Sequence, residues 1–182
     1  FMGASIAYVS ALNGMDVVLL DRTLEAADKG KMHSHKLMSE QIAKGRAKTA
    51  DRDGLLAHIT PSDDYAVLSD CDLVIEAVFE DRAVKADTIR KAEAAMKPGT
   101  IFASNTSTLP ITSLAENFSR PADFVGIHFF SPVERMMLVE VIKGAKTGDR
   151  ALATALDFIR MLRKTPIVVN DSRGFYANRL SL

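Results

Sequence analysis

His128 and Glu140 are two ionisable residues in the stretch GIHFFSPVERMMLVEVIKG, residues 126–144, whose runs are otherwise apolar enough to be buried strand. An imidazole titrates near neutral pH, so it is well suited to taking up and returning a proton there. If FVGIHFF and MMLVEVI are neighbouring strands joined by the SPVER turn, the two side chains meet. Each also has an ordinary reading. A lone histidine between apolar residues is commonly a satisfied core or surface group, and a lone glutamate in a strand can be an edge charge.

A second chemistry is suggested by Gly3 and Asp21. A dinucleotide site reads G-x-G-x-x-G between a strand and a helix, with an acid roughly 20 residues on for the ribose hydroxyls. Here Gly3 would be the third glycine, where the lack of a side chain permits close helix packing, and Asp21 follows eighteen positions later at the end of the next apolar run. An aspartate there accepts from a 2′-hydroxyl and repels a 2′-phosphate, which favours NAD over NADP. Arg22 points the other way, since an arginine can pair with a phosphate. His33 and His35 are two apart, so on a helix they do not share a face. No further ligand pattern completes a metal site around them, and no metal is expected.

These residues need elements to position them. Apolar residues at Ile6, Ala7, Val9 and Leu12 have helical spacing, with Gly14 as a C-terminal stop. DVVLLD, residues 16–21, reads as a strand buried on both faces, and the segment from Thr23 to Ala50 as helix weakened by Gly30 and Gly45. HITPSDDY follows without a clear type. DLVIEAVFED reads as strand, RAVKADTIRKAEAAM as helix stopping at KPGT, and TIFASN as strand. TLPITSLAENF leads through a loop into a short helix. FVGIHFF, MMLVEVIKG and PIVVND give three more strands, and TGDRALATALDFIRMLRK a helix with Asp149 near its start. The alternation predicts an α/β fold with a mostly parallel sheet, and its helix-first order implies a missing first strand.

Composition sets the limits. With 47% hydrophobic and 25% charged residues over 182 positions, the chain matches one globular domain with a full core. Twenty-three basic against twenty-three acidic residues give no broad positive field, so nucleic acid is not an expected partner. No apolar run reaches membrane-spanning length, and the single cysteine, Cys71, cannot form an internal disulfide, which suits a reducing, cytoplasmic compartment. Cys71 lies between acids in SDCDLV, where a thiolate is disfavoured, so it reads as structural. The chain opens on FMGASIAYVSALNG without a start methionine or signal-peptide pattern, and closes on GFYANRLSL, which reads as the first turns of a helix. It is therefore expected to be part of something longer.

Five motifs together, FMGASIAYVSALNGMDVVLLD, DLVIEAVFEDRAVK, SNTSTLPI, HFFSPVERMMLVEVIKG and KTPIVVNDSRGFYANR, resemble the NAD-binding domain of the 3-hydroxyacyl-CoA dehydrogenases of fatty-acid β-oxidation, in order and in register. HFFSP and DSRGFY are more similar to the dehydrogenase part of multifunctional β-oxidation proteins than to stand-alone members. The resemblance implies a Rossmann-type fold, a mostly parallel sheet with helices on both faces, over residues 1–172. It would lack its first strand, and residues 173–182 would begin a helical C-terminal domain otherwise absent.

The resemblance also implies roles. His128 becomes the base that takes the hydroxyl proton while hydride leaves for the nicotinamide, and Glu140 the carboxylate that fixes its tautomer and stabilises the imidazolium. Ser107 and Asn178 would contact the reacting part of the substrate, although both residue types also serve as helix caps. NAD contacts fall on Met2, Gly3, Asp21, Val78, Glu80, Lys85, Ser107 and Ser131, the last standing where stand-alone members commonly have asparagine. Glu80 and Lys85 could otherwise be solvated helix-start charges. Lys36, Lys44 and Arg46 are candidates for the coenzyme A phosphates, against the ordinary reading of a solvated helix. The implied partners are a 3-hydroxyacyl-CoA substrate, a hydratase domain in the same parent chain, a thiolase, and a second copy meeting through the missing helical domain. Two other functions stay open: a catalytically silent or structural NAD-binding module, and a dehydrogenase of another small hydroxy acid. The isolated 182-residue piece is expected to bind NAD weakly and turn over little.

Overall fold

A computed structural model describes residues 1–180 as a Rossmann-type α/β fold that divides into two compact units. The first comprises residues 1–67 together with 131–135, and the second the rest of the described chain.

In the first unit, α1 (Met2–Leu12), β1 (Val17–Leu20), α2 (Leu24–Ala43), α3 (Thr49–Ala57) and β2 (Ile59–Ser62) follow one another. β1 and β2 pair in parallel, Val17 opposite Ile59 and Leu20 opposite Ser62. The core side of α1 is the consecutive run Ile6, Ala7, Tyr8 and Val9, all buried. Thr23 caps α2, its hydroxyl accepting the Ala26 N–H at 3.1 Å. The sequence predicts a single helix from Thr23 to Ala50, but α2 ends at Ala43 and α3 begins at Thr49. Gly45 is the physical reason, with a φ of +68° that other residues adopt only at a cost. HITPSDDY supplies β2, whose Thr60, Pro61 and Ser62 carry no apolar pattern to announce a strand.

The second unit is built on a five-stranded sheet in the order β3 (Leu73–Glu76), β4 (Ile101–Ser104), β5 (Phe124–Phe129), β6 (Leu138–Lys143) and β7 (Thr165–Asn170). All neighbours run parallel except β5 and β6, which are antiparallel. Strands β4 and β5 are buried along their whole length, which is why they read as unbroken apolar runs. Between strands come α4 (Arg82–Ala95), the short α5 (Ile111–Leu114), α6 (Asp149–Met161) and, after β7, α7 (Ala177–Leu180). Asp81 caps α4 by accepting the N–H groups of Ala83 and Val84. α6 turns Ala151, Ala155 and Ile159, four apart, into the core. Phe102, Phe118 and Phe124 fill the interior, Phe102 and Phe124 stacked at 5.4 Å. The expected helix over GFYANRLSL is present only from Ala177, and Ser181 and Leu182 lie outside the described residues.

Gly126, on β5 two residues before His128, has no room for a side chain. A Cβ there would lie 2.7 Å from Ile111 Cδ1 and 2.8 Å from Ile142 Cβ. Gly126→Ala is therefore expected to lower unfolding free energy by about 1–3 kcal/mol. A denaturant midpoint unchanged from the parent would contradict that packing.

Candidate active site

The antiparallel pairing of β5 and β6 sets His128 directly opposite Glu140. Their side chains meet, Nδ1 lying 2.7 Å from Oε2, with His128 only 5% exposed and Glu140 fully buried. An ionised carboxylate accepts hydrogen bonds and cannot donate them, so the contact places a ring proton on Nδ1, and in the neutral imidazole Nε2 is then the atom with the lone pair. The rings of Phe130 and Phe175 lie 4.6 Å and 6.0 Å from the imidazole, giving it an apolar surround.

The other oxygen of Glu140 is also occupied. Oε1 accepts the backbone N–H groups of Tyr176 at 3.0 Å and Ala177 at 2.8 Å, so one buried carboxylate satisfies three donors. This grip falls on the turn that precedes Asn178. The turn is tight: Gly174 has a φ of +73° and Phe175, buried at 2% exposure, a φ of +50°. A left-handed backbone is uncommon for a phenylalanine and persists where the surroundings impose it. Asn178 Nδ2 donates to the carbonyl of Ser107 at 3.0 Å, which leaves its second N–H and the Ser107 hydroxyl for other partners. Four of the expected residues, His128, Glu140, Ser107 and Asn178, are thus joined by a chain of contacts within the second unit.

Ser107 is held from below as well. Glu80 Oε1 accepts the N–H groups of Ser107 and Thr108, both at 3.0 Å, and the hydroxyls of Thr106 and Thr108. Burial alone would raise the Glu80 carboxyl, but the Thr106 hydroxyl, the Lys85 ammonium and those backbone donors outweigh it and pull the carboxyl down to about 2. The folded value lies below the ordinary 4.5, so ionised Glu80 contributes stability in full above that pH and loses it as pH falls toward 2. Glu80 keeps about a third of its side chain in solvent, which screens the effect to about 1 kcal/mol. Acid denaturation of Glu80→Gln is expected to show a flatter pH dependence over that window. A parallel curve for variant and parent would refute it.

Lys85, expected among the cofactor contacts, lies in a buried network. It is completely buried, with Nζ 2.9 Å from both oxygens of Glu76, 3.3 Å from Glu80 Oε2 and 3.4 Å from the Val78 carbonyl. Its three N–H donors are spent inside the protein. Val78 is 37% exposed, with its N–H donated back to Glu76 Oε2 at 3.1 Å. The sequence reading missed Glu76, although an acid inside the apolar run DLVIEAV is the same oddity as Glu140 in MMLVEVI. It missed Asn105 too, whose Oδ1 accepts the Phe129 N–H at 2.9 Å beside His128, and Asp171, whose carboxylate takes the N–H groups of Ile111 and Thr112.

The remaining expected residues belong to the first unit. Met2 and Gly3 open α1, Asp21 is exposed at the carboxyl end of β1 with its N–H bonded to the Ser62 carbonyl, and Ser131 is exposed on the loop after β5. Asp21 Oδ1 accepts the Arg22 N–H at 2.7 Å, and an exposed carboxylate just past a parallel strand is the acceptor that ribose hydroxyls require, so this unit fits the adenosine end of a dinucleotide. No group of three or more metal-ligating side chains occurs among the described residues.

Residues 1–172 match the family model described as 3-hydroxyacyl-CoA dehydrogenase, NAD binding domain. Among solved structures, the chain is 37% identical to (S)-3-hydroxybutyryl-CoA dehydrogenase from Ralstonia eutropha, with a TM-score of 0.96 over 99% of this chain and 64% of that one. It is 30% identical to 3-hydroxybutyryl-CoA dehydrogenase from Escherichia coli, TM-score 0.93, over 98% of this chain and 38% of that one. The dehydrogenase part of multifunctional enzyme 1 from C. elegans is 30% identical, TM-score 0.81, over 92% and 38% respectively. The chain thus spans under two thirds of the length of each of these relatives.

Proposed function

Because the chain belongs to the 3-hydroxyacyl-CoA dehydrogenase family through its NAD-binding domain, we propose that the protein carrying it oxidises L-3-hydroxyacyl-CoA to 3-oxoacyl-CoA. The observation that supports this most is the buried His128–Glu140 pair, tied through the Glu140 carboxylate to the turn that carries Asn178. Bound NAD supplies the hydride acceptor. His128 takes the hydroxyl proton on Nε2, and Glu140 holds Nδ1–H and offsets the positive charge that forms on the ring. The free amide N–H of Asn178 and the Ser107 hydroxyl donate to the substrate oxygen as it becomes a carbonyl. Phe130 and Phe175 limit the water around the imidazole.

On the cofactor side, the proposed NAD contacts are Met2, Gly3, Asp21 and Ser131 in the first unit and Val78, Glu80 and Ser107 in the second. Lys85 acts from behind Glu80. Fatty-acid β-oxidation is the proposed setting, with a hydratase in the same parent chain, a reading supported by the likeness to a multifunctional enzyme's dehydrogenase part. Among the described residues no helix is long and apolar enough to cross a membrane. Burial first, then the neighbouring Asp72, pushes the Cys71 thiol up, which fits an inert residue in a reducing compartment.

The test is oxidation of NADH by the full-length protein with acetoacetyl-CoA, run beside NADPH. Turnover that depends on acetoacetyl-CoA and prefers NADH by at least about tenfold is expected from the Asp21 carboxylate. NADH that binds but is not consumed with acetoacetyl-CoA would overturn the reading.

A further inference from the structure

We infer that Glu76 is a positioning residue for the Ser107 loop, acting through Lys85 and Glu80. Glu76 is 4% exposed and sits at the last position of β3, paired in register with Ser104 of β4. Its carboxylate accepts from the Ser104 hydroxyl, the Val78 N–H and the Lys85 ammonium. Lys85 cannot leave, because it is wholly enclosed and, among the described residues, its counter-charges are Glu76 and Glu80. The ammonium is thereby clamped between a buried carboxylate and a partly exposed one. The exposed one is the carboxylate that gathers the N–H groups of Ser107 and Thr108 and the Thr106 hydroxyl.

The order of burial decides the direction of the effect. A buried charge without a partner is far more costly than a surface one, so Glu76 and Lys85 fix each other first, and Glu80 is then drawn to the fixed cation. Glu80 in turn holds the backbone of Ser107, whose carbonyl receives Asn178. A carboxylate remote from any reacting atom therefore sets where the Ser107 hydroxyl and the Asn178 amide stand. Displacement of such donors by a fraction of an ångström lowers the rate of the chemical step more than it weakens ground-state binding. The catalytic part of this inference rests on the reaction proposed above, whereas the structural part does not.

The variant Glu76→Gln with Lys85→Met removes both buried charges at once and so avoids an orphaned ammonium. In this double variant the Ser107 and Thr108 amides are expected to exchange with solvent at least about tenfold faster, since Glu80 has lost its cation. In the full-length protein, kcat with acetoacetyl-CoA and NADH should fall about 10- to 100-fold with KM for either changed less than about threefold. Should the double variant fail to fold, Ser104→Ala removes a single donor to Glu76 and is expected to move both readouts the same way by a smaller factor. Unchanged amide exchange in folded variant protein overturns the inference whatever the activity. Faster exchange with an unaltered kcat overturns its catalytic part and leaves the network as a purely structural one. Absence of acetoacetyl-CoA turnover in the parent protein would count against the proposed reaction, and the exchange measurement would still decide the role of Glu76.

Discussion

Replacing His128 by alanine in the full-length protein is expected to cut acetoacetyl-CoA-dependent NADH oxidation by about 10²- to 10⁴-fold, the range a positioned general acid or base contributes. Removal of the ring takes away the group proposed above to receive the hydroxyl proton. NADH affinity should hold within a few-fold, because the role proposed for His128 is proton transfer and the proposed dinucleotide contacts are other residues. The Glu140 carboxylate loses one donor of three but keeps the Tyr176 and Ala177 N–H groups, so the variant is expected to fold with a penalty of about 1–3 kcal/mol. Activity within tenfold of the parent would show that another group handles the proton.

Glu140→Gln should damage two properties at once. The side chain keeps its volume, but a glutamine offers one acceptor oxygen where the carboxylate offers two, and its NH₂ points a donor at another donor. If its oxygen keeps the 176–177 N–H groups, its NH₂ faces Nδ1, so His128 either meets a donor or moves its proton to Nε2 and loses the lone pair the proposed reaction needs. With the residue fully buried, such a mismatch costs about 2–4 kcal/mol of unfolding free energy. Turnover per folded molecule should drop by at least about 10²-fold, since the imidazolium loses its counter-charge and the Asn178 turn its anchor. The pair of readouts is informative: lost stability at full turnover per folded molecule would make Glu140 a mere packing group, and lost turnover at unaltered stability would point to a His128 whose proton has moved to Nε2.

How much of this was legible in the sequence depended on burial. β4, β5 and β6 are buried on both faces, so their apolar runs could be read directly, and His128 could be expected to meet Glu140 if two of them were neighbours, whereas the pairing and its register came from the fold. β2 was not legible because ITPS carries Thr60, Pro61 and Ser62 in a strand of four residues. The break between α2 and α3 was hidden by good helix formers on both sides of Gly45. Asp21, Glu80 and Ser107 could be named by motif resemblance. What the sequence could not convey was the state of Lys85. In DRAVKAD it looks like a solvated lysine or a ligand contact, and only the fold reveals that nine residues upstream a buried glutamate has already claimed it. Networks of that kind join residues whose separation follows no period, so no pattern along the chain announces them.

β5 and β6 form the antiparallel step of the second sheet. Parallel neighbours need a crossover segment between them, so residues on two such strands depend on a long connection being intact. His128 and Glu140 lie on the one pair that does not, twelve residues apart and joined by the short segment 130–137. The dyad is therefore a short-range contact within a hairpin, assembled at little loop-closure cost. A chain re-joined at its ends and reopened anywhere outside residues 124–143 would carry both members of the dyad on one uninterrupted segment.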